Sequence, residues 1–305
     1  NLPMTSPSDS EPREDAAAVS RPPRPPWSAF QAALRGAGFH PSRRLGQNFL
    51  LDENLARAIA RDAHLEAQEH VVEVGPGCGF LSVHLAHEDV ELLAIEIDPR
   101  LAPIAAKFLE PYKRARVVEC DVLDGKHALN PEVLALLPQG DTPWHLVSNL
   151  PYAVSAPVLA LVAEQPKPAR TFTVLVQQEV ADRLAASPAT SDWGPLSASI
   201  QLTYDVTLGR PVPRGAFWPR PRVESRIVHG SVRQDLEPVE DRRVVRDLAR
   251  ALMGRRRQMV RRVLGDLMGD KDAAAARLAA AGIDGDVRTG ALDLDQLSRL
   301  AKTPG

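Results

Sequence analysis

Hydrophobic positions follow two regimes along this chain. From residue 70 to about residue 232, short β-branched or apolar runs alternate with segments of helical period. The runs are Val71–Val74, Glu91–Asp98, Arg116–Leu123, Trp144–Val147 and Thr171–Glu179, with Ser197–Leu208 and Val223–Val232 reading as two closing strands. Helices are expected at Trp27–Ala37, Glu53–Asp62, after Gly79, from Pro99, over Ser155–Val162 and through Arg183. Strands alternating with helices in this way predict an α/β fold with a doubly wound, mostly parallel sheet. From Asp241 only helical period remains. Val244, Val245, Leu248 and Leu252 mark one face, Gly254–Leu264 reads as a basic helix, and Ala273–Ala281 and Leu292–Ala301 supply two more helices. The expected division is a disordered tail over 1–26, a sheet domain over 27–234 and a small all-helical domain over 235–305.

Ligands of such sheets sit beyond the carboxyl ends of the strands, and four of those ends carry polar chemistry. Gly75-Pro76-Gly77-Cys78-Gly79 follows the first run; its glycines permit positive φ and close backbone approach, and the helix-start N–H groups would face an anionic group. The same spacing also serves dehydrogenases and plain tight turns. Glu96 ends the next run about twenty residues later, where a carboxylate accepts from both hydroxyls of a ribose; Asp98 reads alternatively as a helix cap. Asp121 suits an adenine amino group or, equally, a turn. Ser148-Asn149-Leu150-Pro151-Tyr152 ends the fourth run. The Asn149 oxygen and a carbonyl left free by the proline turn can accept from one amino group, and the Tyr152 ring can stack on the base that carries it. Taken alone, this stretch also fits a strand-to-helix turn with a core aromatic. One shared crevice accounts for all four ends more economically than four separate turns.

Net charge is only −2 over 305 residues, so global charge announces no nucleic acid. Local charge does. Arg255, Arg256, Arg257, Arg261 and Arg262 fall within one short run without an acid among them, and like charges repel unless something anionic is bound. The proline-rich stretch Pro211–Ser225 interleaves Phe217 and Trp218 with Arg220 and Arg222, which suits single-stranded or flipped nucleotides, and equally a stiff structural loop. The two cysteines, Cys78 and Cys120, make neither a disulfide framework nor a metal cluster. No apolar run reaches spanning length, and the first residues lack a signal-peptide core and carry too many acids for a transit peptide. These features suggest a cytoplasmic protein, with Met4 a candidate native start.

Together the motifs Gly46-Gln47-Asn48-Phe49-Leu50, Val72-Glu73-Val74-Gly75-Pro76-Gly77, Ile95-Glu96-Ile97-Asp98, Asp121, Asn149-Leu150-Pro151-Tyr152, Gln178-Glu179-Val180 and Phe217-x-Pro219-x-Pro221-Arg222-Val223-x-Ser225 resemble the KsgA-type small-subunit ribosomal RNA adenine dimethyltransferases. Arg255–Arg257 and Gly282-Ile283-Asp284 resemble that family's helical domain, so the likeness spans Ser42 to Ala301. It implies a Rossmann-like fold that binds S-adenosylmethionine and methylates twice the amino nitrogen of two adjacent adenosines. Asn48, Leu50 and Gly75 would contact the methionine end, Glu96 the ribose and Asp121 the adenine of the cofactor, with Gln47, Gly77, Ile97, Val122 and Asn149 completing that site. Asn149 and the Leu150 carbonyl would hold the target amine, with Tyr152 and Phe217 stacking its ring. Arg220, Arg222, Arg255, Arg256, Arg257, Arg261 and Arg262 would meet RNA. The implied partner is small-subunit rRNA or a 30S-type subunit precursor, the protein a monomer, and no metal is called for.

The chain departs from that pattern in places. Cys78 and Ser82 stand where Leu and Thr are common, Arg222 where Lys is usual, and Arg288-Thr289-Gly290 lacks an acid that often follows the arginine. Three rival functions are weaker. A large-subunit rRNA dimethyltransferase of the macrolide-resistance type fits less well at Gly75-Pro76-Gly77 and Gly282-Ile283-Asp284. A non-catalytic assembly factor need not keep Asn149–Tyr152. A dehydrogenase explains neither that motif nor the basic run.

Overall fold

The computed structural model describes residues 21–304 apart from Arg43, Lys126 and His127. The tail expected over 1–26 falls mostly outside the described residues; residues 21–26 carry no regular secondary structure, and Arg24 reaches Glu88 at 3.3 Å.

The strands are β1 Phe49–Leu50, β2 His70–Val74, β3 Glu91–Glu96, β4 Ala115–Glu119, β5 Leu123–Asp124, β6 Ala128–Leu129, β7 Trp144–Asn149, β8 Thr171–Gln177, β9 Tyr204–Val212, β10 Phe217–Trp218 and β11 Ser225–Val232. The helices are α1 Trp27–Gly36, α2 Glu53–Asp62, α3 Phe80–Ala86, α4 Ala102–Leu109, α5 Pro131–Leu136, α6 Ser155–Ala163, α7 Gln178–Leu184, α8 Pro195–Gln201, α9 Val239–Met253, α10 Val260–Met268, α11 Lys271–Ala280 and α12 Leu294–Lys302. Seven strands form one sheet in the order β4-β3-β2-β7-β8-β11-β9. The first five are parallel; β11 runs antiparallel to both β8 and β9. Strand order reverses between β2 and β7, which opens a crevice at their carboxyl ends.

The sheet is buried on both faces, as parallel sheets are. One core packs Phe30, Ile59, Leu85 and Leu92 against α1–α4; the other packs Leu146, Leu159, Phe172 and Tyr204 against α6. A third core, with Val245, Leu252, Leu264, Leu278 and Leu297, fills the carboxyl-terminal helices and also takes in Trp193 and Ala198. Trp193 Nε1 donates to the Leu292 carbonyl at 3.0 Å. The buried Arg242 of α9 donates to the carbonyls of Glu237, Ala163 and Gln165 and to the Thr203 hydroxyl, fastening the helices to the sheet.

Three expectations are corrected. Ser197–Ile200 belongs to α8, not to a strand; Gly194-Pro195 starts that helix, with proline at its first position where no N–H is needed. The closing strand therefore begins at Tyr204 and continues to Val212. Val244 is exposed, while Val245, Ala249 and Leu252 form the buried face of α9. The basic run is not one helix either: Gly254–Gln258 turns, and α10 starts only at Val260.

Candidate active site

Four turns meet above the sheet's switch point and enclose a cavity of about 570 Å³, within the range of small-molecule sites. Gly75 and Gly77 take φ of +70° and +60° in the turn after β2. Both are also in close contact. A Cβ on Gly75 would lie 2.5 Å from Pro151 Cγ, and one on Gly77 would lie 2.8 Å from the Phe49 ring. The glycine turn thus rests directly on the Asn149–Tyr152 turn and on β1. The loop before β1 closes the third side: a Cβ on Gly46 would come within 3.1 Å of the Ala153 nitrogen.

At the tip of β3, buried Glu96 accepts from the Gly77 N–H at 2.8 Å and the Asp98 N–H at 2.9 Å, one on each carboxylate oxygen. Burial pushes its pKa up to about 7. Each oxygen keeps a lone pair for a further donor. Asp98 does not contribute to the cavity wall. Its carboxylate accepts from Arg100 at 2.6 and 2.9 Å and from Gln47 Nε2 at 2.9 Å, and the Arg100 partner holds its pKa down at about 2. Gln47 lines the cavity, but its Oε1 takes the Ser42 N–H at 2.8 Å, so both ends of its amide are engaged within the protein. Asn48, Leu50, Ile97, Asp121 and Val122 also line the cavity. Asp121 lies two residues past β4, with Oδ1 accepting from the Leu123 N–H at 2.9 Å.

Asn149 closes β7. Its Nδ2 donates to the Asn48 carbonyl at 3.0 Å. A carbonyl only accepts, so the group facing it has to be the NH2, and this fixes Oδ1 on the other side. That Oδ1 is buried and has no hydrogen-bond partner. A stranded buried acceptor costs about 1–3 kcal/mol, and Asn149 is one of the residues that line the cavity. The next carbonyl, that of Leu150, accepts no backbone bond among the described residues, because Pro151 follows and the chain turns. Tyr152 also lines the cavity, and its hydroxyl pairs with Ser225 Oγ at 2.5 Å.

The structure does not bring Phe217 to the cavity wall. Phe217 is 2% exposed and meets Tyr152 edge-on, with ring centroids 6.5 Å apart at 69°. The antiparallel pairing of β10 with β1 sets Phe217 opposite Leu50 and turns its ring into the core. It supports Tyr152 and does not form the second face of a slot. Sequence reasoning gave Glu73 no role of its own. Glu73 lines the cavity, is fully buried with one unpartnered oxygen, and burial pushes its pKa up to about 8. An acid inside a β-branched run was the signal.

The arginine cluster separates by partner. Arg255 pairs with Asp266 at 2.6 Å, Arg261 with Asp286, and Arg256 donates to the carbonyls of Thr190 and Ser191 at 2.7 Å each. Arg257 and Arg262 are exposed and make no ion pair among the described residues. Gly290 sits where a Cβ would meet the Arg256 carbonyl at 2.9 Å, so backbone, not an acidic side chain, makes that contact.

S-adenosylmethionine fits these residues: glycine turns too tight for a Cβ, a buried carboxylate with lone pairs to spare, and an unsatisfied acceptor on a residue of the same cavity wall. The family profile described as ribosomal RNA adenine dimethylase matches residues 38–303. "Ribosomal RNA small subunit methyltransferase A" of Listeria monocytogenes serotype 4b is 34% identical over 277 residues, covering 89% of this chain and 93% of that protein. Among solved structures, a dimethyladenosine transferase from Plasmodium falciparum shares the fold at a TM-score of 0.68 and 20% identity, over 83% of this chain and 95% of that one. The 23S rRNA methyltransferase ErmE shares it at 0.61 and 23%, over 84% and 98%. Fold alone therefore does not separate the two RNA subunits, but the sequence match runs nearly end to end, and the chain belongs to the ribosomal RNA adenine dimethylase family, as an S-adenosylmethionine-dependent rRNA adenine dimethyltransferase.

Proposed function

We propose that this enzyme dimethylates the amino nitrogen of two adjacent adenosines in small-subunit rRNA, and that Asn149 and the Leu150 carbonyl hold that nitrogen in place. The printed name of the Listeria relative supports the choice of subunit. The observation that carries the residue assignment is the buried Asn149 Oδ1, which has no partner within the protein.

An adenine amino group is a poor nucleophile because its lone pair is delocalised into the ring. Two acceptors at adjacent backbone positions, Oδ1 of Asn149 and the Leu150 carbonyl, bind its two hydrogens and favour the pyramidal geometry that frees the lone pair. S-adenosylmethionine, when bound, supplies an electrophilic methyl carbon on a positively charged sulfur. Holding the amine in line with such a carbon supplies much of the rate, and the surplus proton leaves to water without a dedicated base. Tyr152 stacks on the target base, offsetting the few kcal/mol spent in taking it out of its helix.

Gly75 and Gly77 receive the methionine end, Glu96 the ribose hydroxyls, and Asp121, Ile97 and Val122 the adenine. Asn48 and Leu50 form the near wall, and Gln47 tethers it to Asp98. Arg220, Arg222, Arg257 and Arg262 face RNA phosphates; Arg255, Arg256 and Arg261 chiefly hold the helical region together. The enzyme works as a cytoplasmic monomer on a precursor of the small subunit. No helix among the described residues is long and apolar enough to cross a membrane.

The test is mass spectrometry of rRNA after incubating the protein with labelled S-adenosylmethionine and unmethylated small or large subunits. Two neighbouring dimethyladenosines in the small-subunit RNA alone are expected; label in the large subunit alone would reverse the assignment.

A further inference from the structure

Trp218 occupies one of the positions that the Phe217-x-Pro219-x-Pro221 motif leaves open. It is also the one exposed tryptophan of the four: Trp144 and Trp193 are buried, and Trp27 packs against Phe30 and Phe80. Its side chain is 38% exposed although it sits in a strand, held opposite Phe49 by the β1–β10 pairing. One side of the indole rests on the Phe49 ring, with centroids 5.8 Å apart and planes tilted by 30°. Phe49 and Leu50 both line the cavity. The indole therefore begins about one strand spacing, roughly 5 Å, from the cavity wall.

The surroundings are those of a nucleic-acid contact. Arg220 and Arg222 are exposed and make no ion pair among the described residues. Val223 beside them is exposed too. The nearby carboxylate of Glu224 is already occupied by the Arg214 guanidinium at 3.0 Å and the Arg214 N–H at 2.9 Å, which removes the group that would repel a phosphate. An open aromatic face followed in the chain by free guanidinium groups is what an unstacked base with its phosphates requires.

We propose that Trp218 is the stacking platform for the nucleotide adjacent to the target adenosine, which in this substrate is the other adenosine of the pair. Moving one base into the cavity strips its neighbour of a stacking partner, and the indole takes that partner's place. The platform holds the second adenosine within one nucleotide step of the cavity. Trp218 is thus a positioning residue that touches substrate without touching the reacting atoms. This assignment rests on the substrate reading above, and wild-type methylation of the paired adenosines is the control that tests that reading separately.

Trp218→Leu keeps an apolar cover over Phe49 but removes the π face; Trp218→Phe restores a ring. With unmethylated small-subunit RNA, Trp218→Leu should raise KM for RNA roughly 5- to 150-fold, the span of one base–aromatic stack. Cofactor affinity and single-turnover rate at saturating RNA should hold, and Trp218→Phe should recover most of the loss. An abasic site replacing the neighbouring adenosine should cost the wild type the same factor and cost Trp218→Leu almost nothing further, because the two changes remove one interaction. RNA should also quench the exposed indole's emission in the wild type and not in Trp218→Phe. An unchanged KM in Trp218→Leu, additive losses with the abasic RNA, or a fall in cofactor affinity matching the fall in RNA affinity would each overturn the platform.

Discussion

Replacing Asn149 by alanine separates what this side chain does for the fold from what it does for the reaction. In the folded protein the carboxamide is half satisfied: Nδ2 donates to the Asn48 carbonyl at 3.0 Å, and Oδ1 is buried with no partner. Asn149→Ala deletes one hydrogen bond, worth about 1 kcal/mol net, and leaves the Asn48 carbonyl bare, at about 1–3 kcal/mol if water stays out. It also deletes an acceptor that is already stranded, relieving about 1–3 kcal/mol on the same scale. At mid-range values the net loss is about 1 kcal/mol, so the midpoint of thermal unfolding should fall by about 2–4 °C. The reaction has no such compensation. Removing one pre-aimed hydrogen-bonding group from a transition state costs about 10²–10³ in rate, and the remaining Leu150 carbonyl cannot fix the amine alone. The assay is single-turnover transfer of labelled methyl into unmethylated small-subunit RNA, with cofactor affinity from titration calorimetry and stability from scanning calorimetry. The expected pattern is a rate down by about 10²–10³ with cofactor affinity nearly unchanged and the unfolding midpoint only a few degrees lower. A rate within a few-fold of wild type would refute the role of Oδ1, and so would a loss of transfer that merely follows a loss of cofactor.

Glu96 carries a pH signature: burial holds its pKa near 7 and ribose hydroxyls favour its carboxylate, so cofactor binding should release a proton and tighten as pH rises from about 6 to 8. Calorimetry in two buffers should show this, and Glu96→Gln should abolish it. The same shifts act on stability with the opposite slope. Acids whose folded pKa lies above the ordinary 4.5 bind more protons folded than unfolded, so the cofactor-free protein should lose stability to urea as pH climbs from about 4.5 through 7 for Glu96 and 8 for Glu73. Gly75→Ala places a methyl 2.5 Å from Pro151 at a φ of +70° and should destabilise by about 2–5 kcal/mol in urea unfolding while slowing transfer; a change below about 1 kcal/mol would show that the two turns yield easily. Substituting Arg257 and Arg262 together by alanine should reduce the salt slope of RNA binding by about 1.4–1.8 without altering the unfolding midpoint, whereas Arg256→Ala should lower the midpoint and leave the slope.

Most of the architecture could be read from period and punctuation, because a parallel sheet needs continuous apolar strands and leaves its polar residues at their ends. Glu96, Asp121 and Asn149 all line the crevice expected of them. The errors have physical causes. Ser197–Ile200 alternates small polar and apolar residues like a strand, yet Gly194-Pro195 had already begun a helix that the third core buries from the side. The arginine run looked unneutralised because its acids, Asp266 and Asp286, come from later segments of the chain. Phe217 and Trp218 are neighbours in sequence, and only the pairing with β1 decides which ring is buried and which is open. The stranded oxygen of Asn149 is a matter of which atom faces the Asn48 carbonyl, which no spacing of residues reveals.

Arg242 has a consequence for anyone wishing to dissect this enzyme. Cutting the chain before α9 would deprive the carbonyls of Ala163 and Gln165 of their donor and uncover Trp193, all of which belong to the methyltransferase side of the cut. The fragment would be a damaged catalyst and not a minimal one.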